Sequence, residues 1–110
     1  MMNTRSHSET ENEQRKLRLA RLRDRSKNAD IHDDALFREL VNMTQGVLEL
    51  NERQFADILM VSRPTINRWS NGKNLPHRTV RKAVFTWISK TAADRLAIVE
   101  KYEARVAGAA

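Results

Sequence analysis

Apolar residues recur at intervals of three and four along residues 34–106, which is the spacing of one face of an α-helix. No segment alternates apolar and polar residues for long enough to predict a strand. The first periodic segment predicts a helix over residues 34–45, with Asp33 as its N-cap and Gly46 as its C-cap. Its inward face is expected to hold Leu36, Phe37, Leu40, Val41 and Thr44.

Two short helices joined by a turn are expected next. The first covers about residues 52–59, where Asn51 and Gln54 form a capping-box pattern. The second covers residues 63–70, with Ser62 as its N-cap and Pro64 in the first turn, where a missing N–H group costs nothing. The residues expected to face inward are Phe55, Ala56, Ile58, Leu59, Val61, Ile66 and Trp69.

Two further helices are predicted towards the C-terminus. The first covers about residues 78–89, and the second covers about residues 92–106, where Thr91 and Asp94 form another capping-box pattern. The inward residues of the first are expected to be Val80, Val84, Phe85 or Trp87, and Ile88. The second has a stripe of Leu96, Val99, Tyr102 and Val106, which can complete the core of one chain or pair with a second copy.

Residues 1–30 lack a core pattern. Leu17, Leu19 and Leu22 stand among many basic residues and do not form a wide apolar stripe. We therefore expect a flexible or induced-helical basic N-terminal arm, which can be a solubilising tail, a DNA-contacting arm or a segment that binds a protein partner. The expected division is an arm over 1–30, a domain over 31–90 and a C-terminal helix over 91–110.

The charge is unevenly distributed along the 110 residues, whose net charge is +6. Residues 61–90 contain seven Lys or Arg and no acid, whereas residues 31–60 carry a net charge of −4. An uncompensated basic block of this kind is typical of a surface that binds a polyanion, although a solvated basic surface remains the alternative.

Other chemistry has no support in the sequence. There is no cysteine, which excludes disulfides and thiol catalysis and fits a reducing cytoplasm. The three histidines are far apart, no glycine-rich loop is present, and no nucleophile has a neighbouring base. We expect no enzyme activity, no cofactor, no metal and no membrane span.

The segment "NERQFADILMVSRPTINRWSNGKNLPHRTVRKA" resembles the lambda-repressor-like (Cro and phage repressor, XRE-type) helix-turn-helix family, and the likeness covers about residues 34–88. It implies a compact, all-α domain of five helices whose third helix, residues 63–70 here, enters the major groove of DNA. The family usually has Gly where Met60 stands, and a left-handed non-glycine residue costs about 1 kcal/mol. It often has Gln, which touches the DNA backbone and braces the recognition helix, where Glu52 stands.

The resemblance also implies roles for individual residues. Arg63, Pro64 and Arg68 match base-reading positions of the family. Arginine can bond guanine bidentately, whereas Pro64 could only pack against an apolar group such as a thymine methyl, and Asn67 beside them can bond adenine or a phosphate. Phosphate contacts are expected from Ser62, Thr65, Asn71, Lys73, Asn74, Arg78 and Arg81, with Lys82 adding salt-dependent attraction.

These observations predict a cytoplasmic, bacterial or phage-encoded regulator that binds specific double-stranded DNA, more often as a repressor than as an activator. A homodimer is expected, because one recognition helix reads only a few base pairs. Three alternatives stay open: an antitoxin-type protein-interaction module whose arm binds the partner, an excisionase-like or architectural DNA-binding protein, and a non-specific nucleic-acid binder. The scarcity of exposed aromatic residues argues against the last.

Overall fold

Helices make up all the regular structure in the part of the chain that the computed structural model describes, namely the backbone of residues 7–109 and the side chains of residues 10–108. The five helices are α1 (His7–Lys27), α2 (Asp34–Val47), α3 (Glu52–Leu59), α4 (Arg63–Ser70) and α5 (Arg78–Ala109). The expected all-α class is confirmed. None of these helices is both long and apolar enough to cross a lipid bilayer.

The core forms where α2, α4 and α5 meet. The fully buried ring of Phe37 on α2 lies at its centre. The ring of Trp69 on α4 packs edge-on against it, with 5.4 Å between centroids, and the ring of Phe85 on α5 lies 5.6 Å away. Such pairs add to the free energy gained from burying apolar area, so this cluster fixes how α4 lies on the rest of the molecule.

Helix α2 begins as expected and ends later. The Asp33 side chain accepts a hydrogen bond from the backbone N–H of Leu36, which confirms the N-cap. Gly46 is not the C-cap, because the helix continues to Val47 and Leu48 follows as the cap. The apolar side chain of Leu48 is buried, and the guanidinium of Arg95 donates a hydrogen bond to its carbonyl, so tertiary contacts carry the helix past the glycine.

The N-terminal segment is a packed helix and not the expected flexible or induced-helical arm. The side chains of Leu19 and Leu22 are buried in the core, and α1 runs alongside α5 in the opposite direction. The apolar stripe is narrow, but contacts with α5 and α2 are enough to cover it. Leu17 lies off this stripe and is 60% exposed. Residues 1–6 of the expected arm lie outside the described residues.

Helix α5 is continuous over Arg78–Ala109, so the expected break near residue 90 is wrong. The buried residues Ile88, Ala92 and Leu96 keep one face apolar across the expected junction, and this packing overrides the local capping-box pattern. The described residues therefore form five helices, but they are not the five expected, because α1 replaces the separate C-terminal helix. Val80, expected in the core, is 42% exposed.

The C-terminal stripe is only half covered. Leu96 is buried and Val99 is half-buried, whereas Tyr102 and Val106 are 61% and 51% exposed. Ile98 is exposed as well, and Ile98, Tyr102 and Val106 form a row at four-residue intervals along α5. The C-terminal end of α5 therefore does not complete the core of a single chain, which was one of the two possibilities that the sequence left open.

Candidate nucleic-acid interface

Helices α3 and α4 each begin at a side-chain N-cap. Both hydrogen bonds of the Asn51–Gln54 capping box are present, at 2.8 and 3.0 Å. The Ser62 side chain accepts from the backbone N–H of Thr65, which confirms it as the N-cap of α4, and Pro64 lies in the first turn. These local signals set the start of each helix, and Ser62 together with the C-cap Met60 delimits the turn between them.

The turn between α3 and α4 contains a strained residue. Met60 has φ 59° and ψ 40°, so it adopts the left-handed conformation at the position where the family usually has Gly. Its side chain is 91% exposed, so no buried contact offsets the strain. The backbone N–H of Val61 bonds to the carbonyl of Ala56 at 3.0 Å and closes the turn. Ile58, expected to face inward, is 43% exposed.

Helix α4 has two opposite faces. Ile66 and Trp69 are buried, as expected. The four positions expected to read bases are all exposed, and α4 brings them together on its outer side: Arg63, Pro64, Asn67 and Arg68. Among the described residues, Arg68 has no ion-pair partner. This face can donate several hydrogen bonds to one ligand.

A polar network links this face to α3. Glu52 Oε2 accepts a hydrogen bond from Asn67 Nδ2 at 2.9 Å, and Glu52 Oε1 lies 3.5 Å from Arg63 Nε. Asn71 Nδ2 donates to the backbone carbonyl of Asn67 at 2.9 Å and to its side-chain oxygen at 3.4 Å. Sequence reasoning marked the position of Glu52 but not these partners, because nothing local to Glu52 encodes a contact with the next helix.

The residues expected to contact phosphates differ in their accessibility and in their hydrogen bonds within the chain. The hydroxyl oxygens of Ser62 and Thr65 lie 2.8 Å apart, so they bond each other. Asn71, Lys73 and Asn74 are exposed in the loop after α4. Arg78 is exposed at the start of α5. Most of this set therefore surrounds α4 on accessible positions.

Arg81 is an exception. Its side chain is only 12% exposed, and its guanidinium donates to the carbonyls of Pro76 and Ile31 and to the carboxylate of Asp34. The same group lies 5.7 Å from the ring centroid of Phe37. These contacts fix the start of α5 against α2, so we reassign Arg81 from phosphate binding to the fold.

Two residues of α2 hold the C-terminal end of α4, and sequence reasoning missed both. Arg38 Nε and Asn42 Nδ2 donate to the carbonyl of Ser70 at 3.2 and 3.0 Å. Gly72, just beyond α4, has φ 73°, and a Cβ atom built there would lie 3.3 Å from Arg38 Cδ. The spacing of Arg38 and Asn42 by four residues puts them on one face, which is the only signal that the sequence offers.

The resolved pKa shifts belong to ion pairs of α1 and not to α4. A hydrogen bond from Arg25 lowers the pKa of the Glu39 carboxyl, and Arg23 does the same for the pKa of Asp24. The hydrogen bond to Glu103 raises the pKa of Lys16. All these carboxylates and cations are solvent-accessible, so the pairs stabilise the fold only slightly.

Other kinds of site find little support in the part of the chain that is described. No three His, Asp or Glu side chains there are placed to hold a metal ion. A groove of about 710 Å³ lies between α1, the loop that follows it and α5, and its lining mixes apolar and hydroxyl side chains with four cations and Asp30. No protein-family model, curated protein or solved structure shows a significant match to this chain.

Proposed function

We propose that the protein is a regulator that binds specific double-stranded DNA through α4. The observation that carries the proposal is the two-faced character of α4, which buries Ile66 and Trp69 and exposes two arginines and an asparagine. A helix anchored in this way can enter the major groove, which is wide enough for one α-helix. The order of α3, a short turn and α4 supports the helix-turn-helix arrangement that the sequence resemblance implies.

The outer face of α4 has the donors that base recognition needs. Arg68 and Arg63 can each bond O6 and N7 of a guanine, which contributes about 1–3 kcal/mol of discrimination for each good bidentate pair. Asn67 can bond adenine, and Pro64 can only pack against an apolar group such as a thymine methyl. We therefore expect recognition to be richest at guanine.

The surrounding donors serve the DNA backbone. Lys73 and Arg78 are accessible cations, and Asn71 and Asn74 are accessible amides in the same loop. Ser62, Thr65 and Lys82 extend this set with weaker contacts. Because each neutralised phosphate releases counterions, binding should weaken steeply as the salt concentration rises.

The exposed row of Ile98, Tyr102 and Val106 supports a homodimer as the working form. Burying this exposed apolar row against a second copy would be energetically favourable. A dimer would also supply a second recognition helix, which would double the length of DNA that is read. We propose a cytoplasmic protein that acts by occupying a promoter, which makes repression the simpler outcome. No catalytic role or cofactor is part of this proposal.

The alternatives are less well supported. An excisionase-like protein needs a β-wing after its recognition helix, whereas residues 78–109 form a helix. An antitoxin-type module that binds its partner through a free N-terminal arm is disfavoured, because Leu19 and Leu22 of α1 already pack in the core. The exposed row on α5 is the surface that a protein partner would use instead.

Selection from a random-sequence duplex library with the full chain, at near-physiological salt, tests the proposal. We expect an enriched inverted repeat whose half-sites lie about one helical turn apart. Enrichment of a single half-site would support DNA reading but argue against the dimer. Weak, salt-sensitive binding with no enriched sequence would contradict sequence-specific recognition.

A further inference from the structure

An acidic side chain sits against the basic face of α4. Glu52 is the first residue of α3, and its carboxylate contacts both Asn67 and Arg63, at 2.9 and 3.5 Å. The Glu52 side chain is 26% exposed, whereas that of Arg63 is 69% exposed. The carboxylate thus lies in the angle between the two helices, while the arginine extends into solvent.

The contact with Glu52 orients Arg63 without using up its donors. It engages Nε, so both terminal Nη groups stay available as the fork that bonds O6 and N7 of guanine. A free arginine side chain loses rotamer entropy when it is fixed in one orientation. Part of that loss has already occurred in the free protein, because Glu52 restricts the side chain before any ligand arrives.

Asn67 is oriented in the same way. One N–H of its side-chain amide bonds Glu52, and its Oδ1 receives a longer bond from Asn71 at 3.4 Å. The second N–H and the remaining lone pair of Oδ1 stay free. The amide therefore has a preferred orientation, with one donor and one acceptor left for a base edge.

The same carboxylate opposes non-specific binding. On random DNA, contacts to phosphates supply nearly all of the affinity. The free Nη groups of Arg63 and the free N–H of Asn67 could also reach a phosphate, but the Glu52 carboxylate beside them repels that phosphate. In a complex with the right sequence, both side chains can bond bases while they keep their contacts with Glu52.

From this geometry we infer that Glu52 is a specificity-determining residue, which holds Arg63 and Asn67 for base contacts and weakens binding to the phosphates of unrelated DNA. The inference rests on the proposed function, and it goes beyond it by assigning discrimination to an acidic residue on the neighbouring helix. It also accounts for an acid next to a surface that is otherwise basic.

Glu52→Gln is the decisive variant, because glutamine keeps an oxygen acceptor and removes the charge. Asp57→Asn is its matched control, since Asp57 is exposed on the same helix and its side chain forms no hydrogen bond or ion pair with any described residue of α4. Affinity is measured for the selected duplex and for a random duplex of equal length, at several salt concentrations. Denaturant midpoints of both variants check the fold.

We expect Glu52→Gln to raise the affinity for random DNA about fivefold, as for one unit charge at contact distance in water. The affinity for the selected duplex should change by less than about twofold, so the ratio of the two affinities falls. The salt dependence on random DNA should steepen by up to about one unit of slope. Asp57→Asn should leave the ratio unchanged.

Glu52→Ala removes the acceptor as well, and it should also relax the base preference at the positions that Arg63 and Asn67 read. Two failures can be told apart. If the unmodified protein selects no sequence, the proposed function fails and the role of Glu52 falls with it. If it does select a sequence, but Glu52→Gln and Asp57→Asn leave the same affinity ratio, only the role of Glu52 is refuted.

Discussion

Helices α1 and α4 are both basic, but their cations have different surroundings. On α1, Lys16 and Arg25 form ion pairs with Glu103 and Glu39 on other helices, at 2.7 and 2.8 Å. On α4, Arg68 has no ion pair with any described residue, and Arg63 has only the longer contact with Glu52. Both helices bury two large apolar side chains, so both belong to the fold.

The difference shows that the number of positive charges does not locate a polyanion site. Two of the acids that pair with cations of α1, Glu39 and Glu103, come from α2 and α5, and their contacts help to hold three helices together. The outer face of α4 is left with donors that the chain itself does not satisfy. We therefore look for stability effects in α1 and for ligand effects in α4.

The largest effect is expected from Leu22→Ala on α1. The Leu22 side chain is fully buried, so its truncation leaves a cavity and should lower the free energy of unfolding by about 2–5 kcal/mol. Leu17→Ala is the matched control, since Leu17 is 60% exposed on the same helix, and it should cost less than about 0.5 kcal/mol. Denaturant unfolding measures both, and equal small losses would mean that α1 is not part of the core.

The next largest effect should come from Arg68→Ala on α4. It should cost about 1–3 kcal/mol of discrimination at one base pair and leave the free energy of unfolding nearly unchanged. Arg18→Ala removes an exposed arginine of α1 and should not alter base preference.

Lys73→Ala should weaken binding to all sequences and lower the salt slope by about 1. Titrations of single-base variants of the selected duplex separate these outcomes, and uniform losses for Arg68→Ala would contradict base reading.

Met60→Gly should have a smaller effect, which is an increase in the free energy of unfolding. Relief of the left-handed strain contributes about 1 kcal/mol, of which the greater freedom of unfolded glycine offsets part. Met60→Ala keeps the Cβ atom and therefore the strain, so it should not stabilise the protein. The two variants are compared by thermal unfolding. A gain for alanine equal to that for glycine would show that the exposed side chain is unfavourable, and not the backbone.

The smallest effect concerns the ion pair of Arg25 and Glu39. Because the pKa of Glu39 is lowered in the folded protein, the pair stabilises it at neutral pH, and this contribution is lost as the pH falls through the folded pKa. The unfolding midpoint should therefore decline less steeply below about pH 5 in Glu39→Gln than in the unmodified protein. Glu49→Gln, at an exposed acid, serves as the control. Parallel pH profiles for all three proteins would exclude a contribution from the pair.

The sequence predicted α3 and α4 well because their determinants are local. The caps Asn51 and Ser62, the proline at position 64 and the left-handed turn at Met60 all act within a few residues of where they stand. The inward positions of Ile66 and Trp69 follow from helical spacing alone. The exposed face of α4, which forms the centre of the candidate site, could therefore be identified from caps and spacing.

The rest depends on residues far apart in the chain. The narrow stripe of Leu19 and Leu22 can be identified as a core face only when α5 lies next to it. Helix α5 in turn is continuous because its partners cover one face along much of its length. The contact of Glu52 with α4 and the burial of Arg81 depend on tertiary packing in the same way. Charge and spacing cannot distinguish a buried arginine from one that meets a phosphate.

The antiparallel packing of α1 on α5 has a consequence for folding during synthesis. Ribosomes add about 5–20 residues per second, so the leucines of α1 emerge roughly 4–15 s before the part of α5 that covers them. Helices α2, α3 and α4 can associate during that interval, and α1 can already contact α2 through Arg25 and Glu39, but the part of its apolar stripe that α5 covers stays exposed. The last contacts to form should thus join α1 to α5, and a chaperone that shields exposed apolar side chains would act on α1 first.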